Sequence, residues 1–263
     1  MSNIARAFTD GRGAPRKAFI PFVTVGDPTL PVSEELVVQM AEAGADLIEL
    51  GIPFSDPMAE GPVIQGANLR ARAQGVTTDD VFALVSRVRR RTDVPLAFMT
   101  YANVVHSYGI ERFADAQAAL GMDGLILPDV PFEEKEEFSL PLAERGIDLV
   151  SLIAPTSHER IRQIARSASG FVYCVSSLGV TGTRERITTD IASMVALVRE
   201  VTDTPVAVGF GISTPEQAAA MAALSDGAIV GSAIVGLIER HGEDAAGPVG
   251  ELVSRMAEAV HAA

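Results

Sequence analysis

The chain has 263 residues, 48% hydrophobic and 21% charged, and its 34 acidic against 21 basic side chains give a formal charge of −13. That length supports one large core and no low-complexity segment divides it, so residues 1–263 are read as a single domain. The acidic balance excludes a nucleic-acid footprint and a polybasic membrane face, and with neither a membrane-length apolar run nor a signal-like N-terminal core the expected location is cytoplasmic.

In chain order, a short amphipathic opening at residues 4–8 precedes a basic, glycine-bearing loop and the first apolar run, 18–24. From there the pattern repeats as a short apolar run, a Gly/Pro/Asp-rich loop and a segment with apolar residues at helical spacing. The runs at 18–24, 47–51, 96–101, 124–127, 148–153, 170–175, 206–209 and 227–230 predict eight strands. Helices are predicted near 31–43, 79–90, 109–120, 131–145, 158–168, 190–201 and 214–223, with 232–241 and 248–260 closing the chain. Regular strand and helix alternation implies a parallel sheet, and eight units in about 250 residues match a closed (β/α)₈ TIM barrel better than an open doubly wound sheet. No GxGxxG follows the first strand, which weakens a dinucleotide-binding reading. Residues 4–8 and 62–73 are extra helices, the second following strand two.

The second strand is interrupted by an acid. Alternation puts Leu47, Glu49 and Gly51 on one face and Ile48 and Leu50 on the other. The Ile/Leu face suits the surrounding helices, so Glu49 points into the barrel near its C-terminal mouth, where such barrels keep catalytic groups. Burial there raises a carboxyl pKa toward neutrality, as proton exchange requires. The plainer alternative is a carboxylate satisfied by backbone donors or an internal ion pair. Glu60 lies in the following loop, placed to face Glu49 across the mouth, while Asp56 in SDP reads as a turn residue ahead of Pro57.

Two glycine-bearing loops follow the last two strands: GFGIST from Gly209, and GSAI from Gly231. Their N–H groups can approach an anion closely, and Ser232 can cap the following helix, at the place where this fold holds phosphate. The loop LGVTGT, residues 178–183, can supply another N–H or close over the site. For each loop alone, turn chemistry is the alternative. The two lysines, Lys17 and Lys135, lie away from strand tops, which disfavours Schiff-base chemistry. The four histidines lack metal-ligand spacing, and the single Cys174, among apolar neighbours, reads as a core thiol. What remains is cofactor-free acid/base chemistry on a phosphorylated, largely apolar substrate.

The chain resembles the tryptophan synthase alpha subunit family. The matching segments are PFVTVGDP (21–28), ELGIPFSDP (49–57), GPVIQGANLRA (61–71), YAN (101–103), LPDVP (127–131), GVTGT (179–183), GFGIS (209–213) and GSAIV (231–235), spread in order over almost the whole chain. The resemblance implies a lyase that cleaves indole-3-glycerol phosphate to indole and glyceraldehyde 3-phosphate with no metal or organic cofactor in this chain. It also implies an α₂β₂ assembly with a pyridoxal phosphate-dependent beta subunit that receives indole through a tunnel. By position, Glu49 matches the general acid/base, and Glu60 stands where the family has an aspartate that stabilises the indole nitrogen. Phe22, Tyr173 and Phe210 match the indole walls, or fill the barrel as ordinary core. Thr181 matches the loop residue that meets the second acid, and Gly182, Gly211, Gly231 and Ser232 match the phosphate cradle. Pro53, Asp56 and Asn103 match partner-contact loops. Besides Glu60, the sequence departs at Ser177, where the family commonly has arginine. Two other readings stay open: a weakened alpha-like subunit that mainly activates its partner, and an isomerase or synthase from neighbouring phosphate-binding barrels.

Overall fold

A computed structural model describes residues 3–175, 191–209 and 211–263. Eight parallel strands close into a barrel: β1 (Ala18–Thr24), β2 (Ile48–Gly51), β3 (Leu96–Met99), β4 (Gly124–Ile126), β5 (Asp148–Ile153), β6 (Val172–Val175), β7 (Val206–Gly209) and β8 (Gly227–Val230). The ring is sealed where Ala18 to Pro21 pair with Gly227 to Val230. Closure covers both faces of each strand, so β1, β2 and β3 are buried throughout, as their unbroken apolar runs require.

Two side-chain populations follow from the alternation along the strands. Ile20, Phe22, Leu47, Ala97, Met99 and Tyr173 pack together inside the barrel. Phe19, Val23, Ile48, Leu50 and Phe98 pack outward against helices. The helical layer comprises α1 (Ile4–Ala7), α2 (Leu30–Glu42), α3 (Pro62–Ala73), α4 (Thr78–Val88), α5 (Ala102–Tyr108), α6 (Ile110–Ala119), α7 (Glu136–Glu144), α8 (His158–Arg166), α9 (Ile191–Arg199), α10 (Pro215–Leu224), α11 (Ser232–His241) and α12 (Ala246–His261). Helix starts carry their own signals: Thr29, Ser157 and Thr214 each accept an N–H of the first turn, and Thr77 with Asp80 completes a capping box. At the end of the barrel away from the strand tops, α1 is the plug. The fully buried Ile4 lies 3.0 Å from where a Cβ on Gly124 or Gly170 would sit, so those glycines admit it.

Most boundaries shift by one or two residues; β2 begins at Ile48 rather than 47 and β6 at Val172 rather than 170. β3 ends at Met99 rather than 101 and β4 at Ile126 rather than 127. The helix expected over 131–145 is split into a 3₁₀ turn at Phe132–Glu134 and α7. Helix α5 was not foreseen. Its seven residues, ANVVHSY, are too few and too β-branched for a helical period. It starts because Ala102 N–H donates to the Asp129 carboxylate at 3.1 Å, a tertiary contact, and it ends at Gly109, whose φ of 93° breaks the helix.

Candidate active site

Glu49 sits in β2 with Phe22 of β1 and Ala97 of β3 as its strand neighbours. It is fully buried, and both carboxyl oxygens lack a hydrogen-bond partner among the described residues. Burial alone pushes its pKa up to about 8, because a charge there would be neither solvated nor paired. The backbone-satisfied carboxylate considered above is therefore not what the barrel holds. At neutral pH Glu49 is an acid with a proton to give.

Glu60 reaches the same interior from the loop after β2. It is 4% exposed and its pKa is pushed up to about 7, chiefly by burial, with bonds from Asn68 and Tyr101 acting the other way. Asn68 on α3 donates Nδ2–H to Glu60 Oε2 at 2.9 Å, and its Oδ1 accepts Phe54 N–H at 2.9 Å. The Tyr101 hydroxyl accepts Ala59 N–H at 3.1 Å, and its ring stacks on Phe54 at 5.0 Å. Glu60 is thus held back against α3 rather than left swinging on a loop. Burial, then the Glu60 charge, keep the Tyr101 phenol protonated. Burial likewise dominates at Tyr173, with Glu49 and Glu60 adding to it.

One cavity of about 30 Å³ gathers Glu49, Glu60, Phe22, Tyr173, Gly211, Gly231 and Ser232, together with Ile64, Met99, Ile212 and Ile229. Seven sequence-selected residues from five strands or their following loops therefore meet at one mouth. Beside it lies an apolar cleft of about 410 Å³ that shares Met99 and Tyr173 and continues past Leu127, Ile153 and Val175. Two glycines open the ring space. A Cβ on Gly51 would come 2.7 Å from the Phe22 ring, and one on Gly209 would come 2.6 Å from the Tyr173 ring.

The end expected from the sequence to hold phosphate is formed by α11, whose N-terminus abuts β8. Ser232 is its first helical residue, and the cap is Gly231, with no side-chain capping bond; the expected Ser232 cap is replaced by open backbone. The first-turn N–H groups of a helix have no intrahelical acceptor, so they are open to water or to an anionic ligand. A Cβ on Gly231 would meet Phe22 and Ile64 at an ordinary 3.5 Å. Packing alone does not demand glycine there. Gly211 adopts φ 77°, in the left-handed region that glycine favours.

The remaining selected residues lie elsewhere. Asp56 and Asn103 are exposed and Pro53 is half-buried on the same rim. Asp56 accepts the Ser55 hydroxyl at 3.1 Å. Thr181, Gly182 and Phe210, with Ser177, lie outside the described residues. Cys174 is buried and its thiol is pushed up to about 12, so it is inert. Sequence reasoning missed Asn68 and Tyr101 as partners of Glu60. The available signal was Asn68 itself: a polar residue on the apolar face of α3, among buried Ile64, Ala67 and Ala71.

Chemically, the site combines a protonated carboxyl able to give and retake a proton, a second carboxyl near its midpoint at neutrality, a helix N-terminus with the polarity to receive an anion, and an apolar cleft. Among the described residues no group of three or more His, Cys, Asp or Glu side chains is placed to hold a metal.

A family model described as tryptophan synthase alpha chain matches residues 8–262. The tryptophan synthase alpha chain of Lactiplantibacillus plantarum is 54% identical over 226 residues, 86% of each chain. That of Geobacter sulfurreducens is 48% identical over 262 residues, 99% of each. Tryptophan synthase subunit alpha from Legionella pneumophila superposes with a TM-score of 0.89 at 36% identity, covering 100% of both chains. A structure of Mycobacterium tuberculosis tryptophan synthase gives 0.85 at 35% identity, covering 94% of this chain and 93% of that one.

Proposed function

The chain belongs to the tryptophan synthase alpha chain family, and from that premise we propose how its own residues perform the reaction. It is a lyase that cleaves indole-3-glycerol phosphate to indole and glyceraldehyde 3-phosphate, the alpha reaction of tryptophan biosynthesis. The relatives give no support to the isomerase or weakened-subunit readings.

In the proposed arrangement the phosphate lies on the backbone of Gly211, Gly231 and Ser232, with Gly182 completing the cradle. The indole ring lies between Phe22, Tyr173 and Phe210, toward the apolar cleft. Neutral Glu49 gives its proton to the indole carbon that bears the glycerol chain, and the ring nitrogen takes up the positive charge. Ionised Glu60 faces that nitrogen, with Thr181 closing against it. The Glu49 carboxylate then removes the proton of the adjacent glycerol hydroxyl. The oxygen's electrons form the aldehyde carbonyl, the carbon–carbon bond breaks, and its pair neutralises the indolium ring. Glu49 ends protonated as it began, so no cofactor is needed in this chain.

The observation that carries this reading is Glu49, fully buried and without a hydrogen-bond partner among the described residues, in one cavity with Gly211, Gly231 and Ser232. Glu49→Gln is expected to lower indole release by about 10² to 10⁴, the usual contribution of a positioned acid/base. Turnover retained in a folded Glu49→Gln chain would refute the assignment.

The same reading gives the chain a beta subunit as partner, in an α₂β₂ assembly with pyridoxal phosphate held by the beta subunit. Contact is made through Pro53, Asp56 and Asn103. It also places the protein in the cytoplasm as a single barrel domain; no helix among the described residues is long and apolar enough to cross a membrane.

A further inference from the structure

Asp27, in the loop after β1, is a third buried carboxylate at the mouth, 1% exposed. Arg70 of α3 donates to both of its oxygens, from Nε at 2.7 Å and from Nη2 at 2.9 Å. The remaining Nη1 donates to Glu239 of α11 at 2.9 Å. Gly66, one turn earlier on α3, leaves room for this: a Cβ there would lie 3.3 Å from Nη1. One planar side chain thus ties the loop after β1, α3 and α11 together.

Two of those elements carry opposite ends of the site. α3 holds Asn68, whose amide anchors Glu60, and α11 begins at Gly231 and Ser232. They also touch directly: Ile64 of α3 lies 3.5 Å from a Cβ position on Gly231, and Val63 lies 3.9 Å from one on Gly236. Satisfying Asp27 needs only the Nε and Nη2 edge of the guanidinium. The Nη1 bond to Glu239, whose side chain is 54% exposed, adds little stability at such exposure, and what it does add is a polar link from Arg70 to α11.

We infer that Arg70 is a positioning residue for the lyase reaction: it sets the separation between the phosphate cradle on α11 and the Glu60–Asn68 wall on α3. The inference rests on the proposed roles of Glu60 and of the Gly231/Ser232 cradle. Indole-3-glycerol phosphate spans both ends with one covalent skeleton, so it registers their distance. A fragment that fills one end does not.

The test compares Arg70→Lys, which keeps a cation beside Asp27 but loses the fork, with Glu239→Ala, which removes the acceptor of Nη1 and leaves the Arg70–Asp27 pair in place. Indole release is measured with indole-3-glycerol phosphate, and glycerol 3-phosphate and indole are used as separate inhibitors of the two ends. The expected kcat/KM loss is about tenfold for Arg70→Lys and about threefold for Glu239→Ala, with both inhibition constants within about twofold of the parent. Unchanged kcat/KM in Glu239→Ala, or inhibition constants that rise in proportion to the lost kcat/KM, overturns the inference. If Arg70→Lys does not fold, Glu239→Ala decides alone. Glu60→Gln in the parent chain separates the two levels. Full activity there removes the role of Glu60 and the inference with it, whereas a large loss beside unaffected Glu239→Ala and Arg70→Lys sinks the inference alone.

Discussion

At the scale of single residues the proposed chemistry depends on what burial does to two carboxyls. Glu49 has an ordinary value of 4.5 and a folded value of about 8. Between those values the unfolded chain has lost the proton that the folded chain keeps, so stability falls as pH rises from about 4.5 through 8. Glu49→Gln is therefore expected to stabilise the ligand-free chain by about 2–4 kcal/mol at pH 8, and by little near pH 4, read from denaturant midpoints at both. Activity has the complementary dependence. The proposed mechanism requires Glu60 ionised, with a pKa near 7, and Glu49 protonated, with a pKa near 8. A narrow bell with limbs near those values is expected for kcat/KM; because both groups line one cavity, the limbs belong to the pair. Residual turnover in Glu60→Gln is expected to lose the acid limb, and a limb that persists would assign it to another group. The extra methylene of Glu60 has a structural answer in Asn68 and Tyr101, which draw the side chain back against α3. Nothing in the described residues explains Ser177.

At the scale of elements, glycines at strand and helix ends decide the shape of the site, and their substitutions separate shape from stability. Gly209→Ala would force a Cβ to within 2.6 Å of the Tyr173 ring. The ring must move, and kcat/KM is expected to fall by about tenfold or more, with a stability loss of about 1–3 kcal/mol from overpacking. Gly231→Ala is the converse, since its Cβ would make ordinary 3.5 Å contacts with Phe22 and Ile64. Stability should stay within about 0.5 kcal/mol while the methyl crowds the cradle and KM rises about tenfold. Equal stability losses in the two variants would show that Gly231 is a packing residue. Elements whose signals are local were readable in advance: the apolar runs of the strands and the Thr29, Thr77, Ser157 and Thr214 caps. Helix α5 was not, because the carboxylate that starts it comes from Asp129, 27 residues further along the chain.

At the scale of the whole molecule, the barrel brings chemistry and the proposed partner surface to one rim. Glu60 is tied through Tyr101 and Asn68 to the segment holding Phe54 and Ala59, and Asp56 and Asn103 stand exposed beside it. A beta subunit seated on that segment is expected to raise indole release by about five- to a hundredfold, and equal rates with and without it would deny the coupling. The short apolar runs and the Gly/Pro/Asp-rich loops between them determined by themselves that there are eight strands and that glycine loops follow β7 and β8, and side-chain alternation within β2 that Glu49 faces inward, because run length, period-two orientation and turn chemistry are written locally. Only closure of the barrel decided the rest. Desolvation depends on every wall of a cavity at once, so the shift of Glu49 to about 8, the hold of Asn68 and Tyr101 on Glu60, and the reach of Arg70 from Asp27 to Glu239 exist only when β1, α3 and α11 are in place.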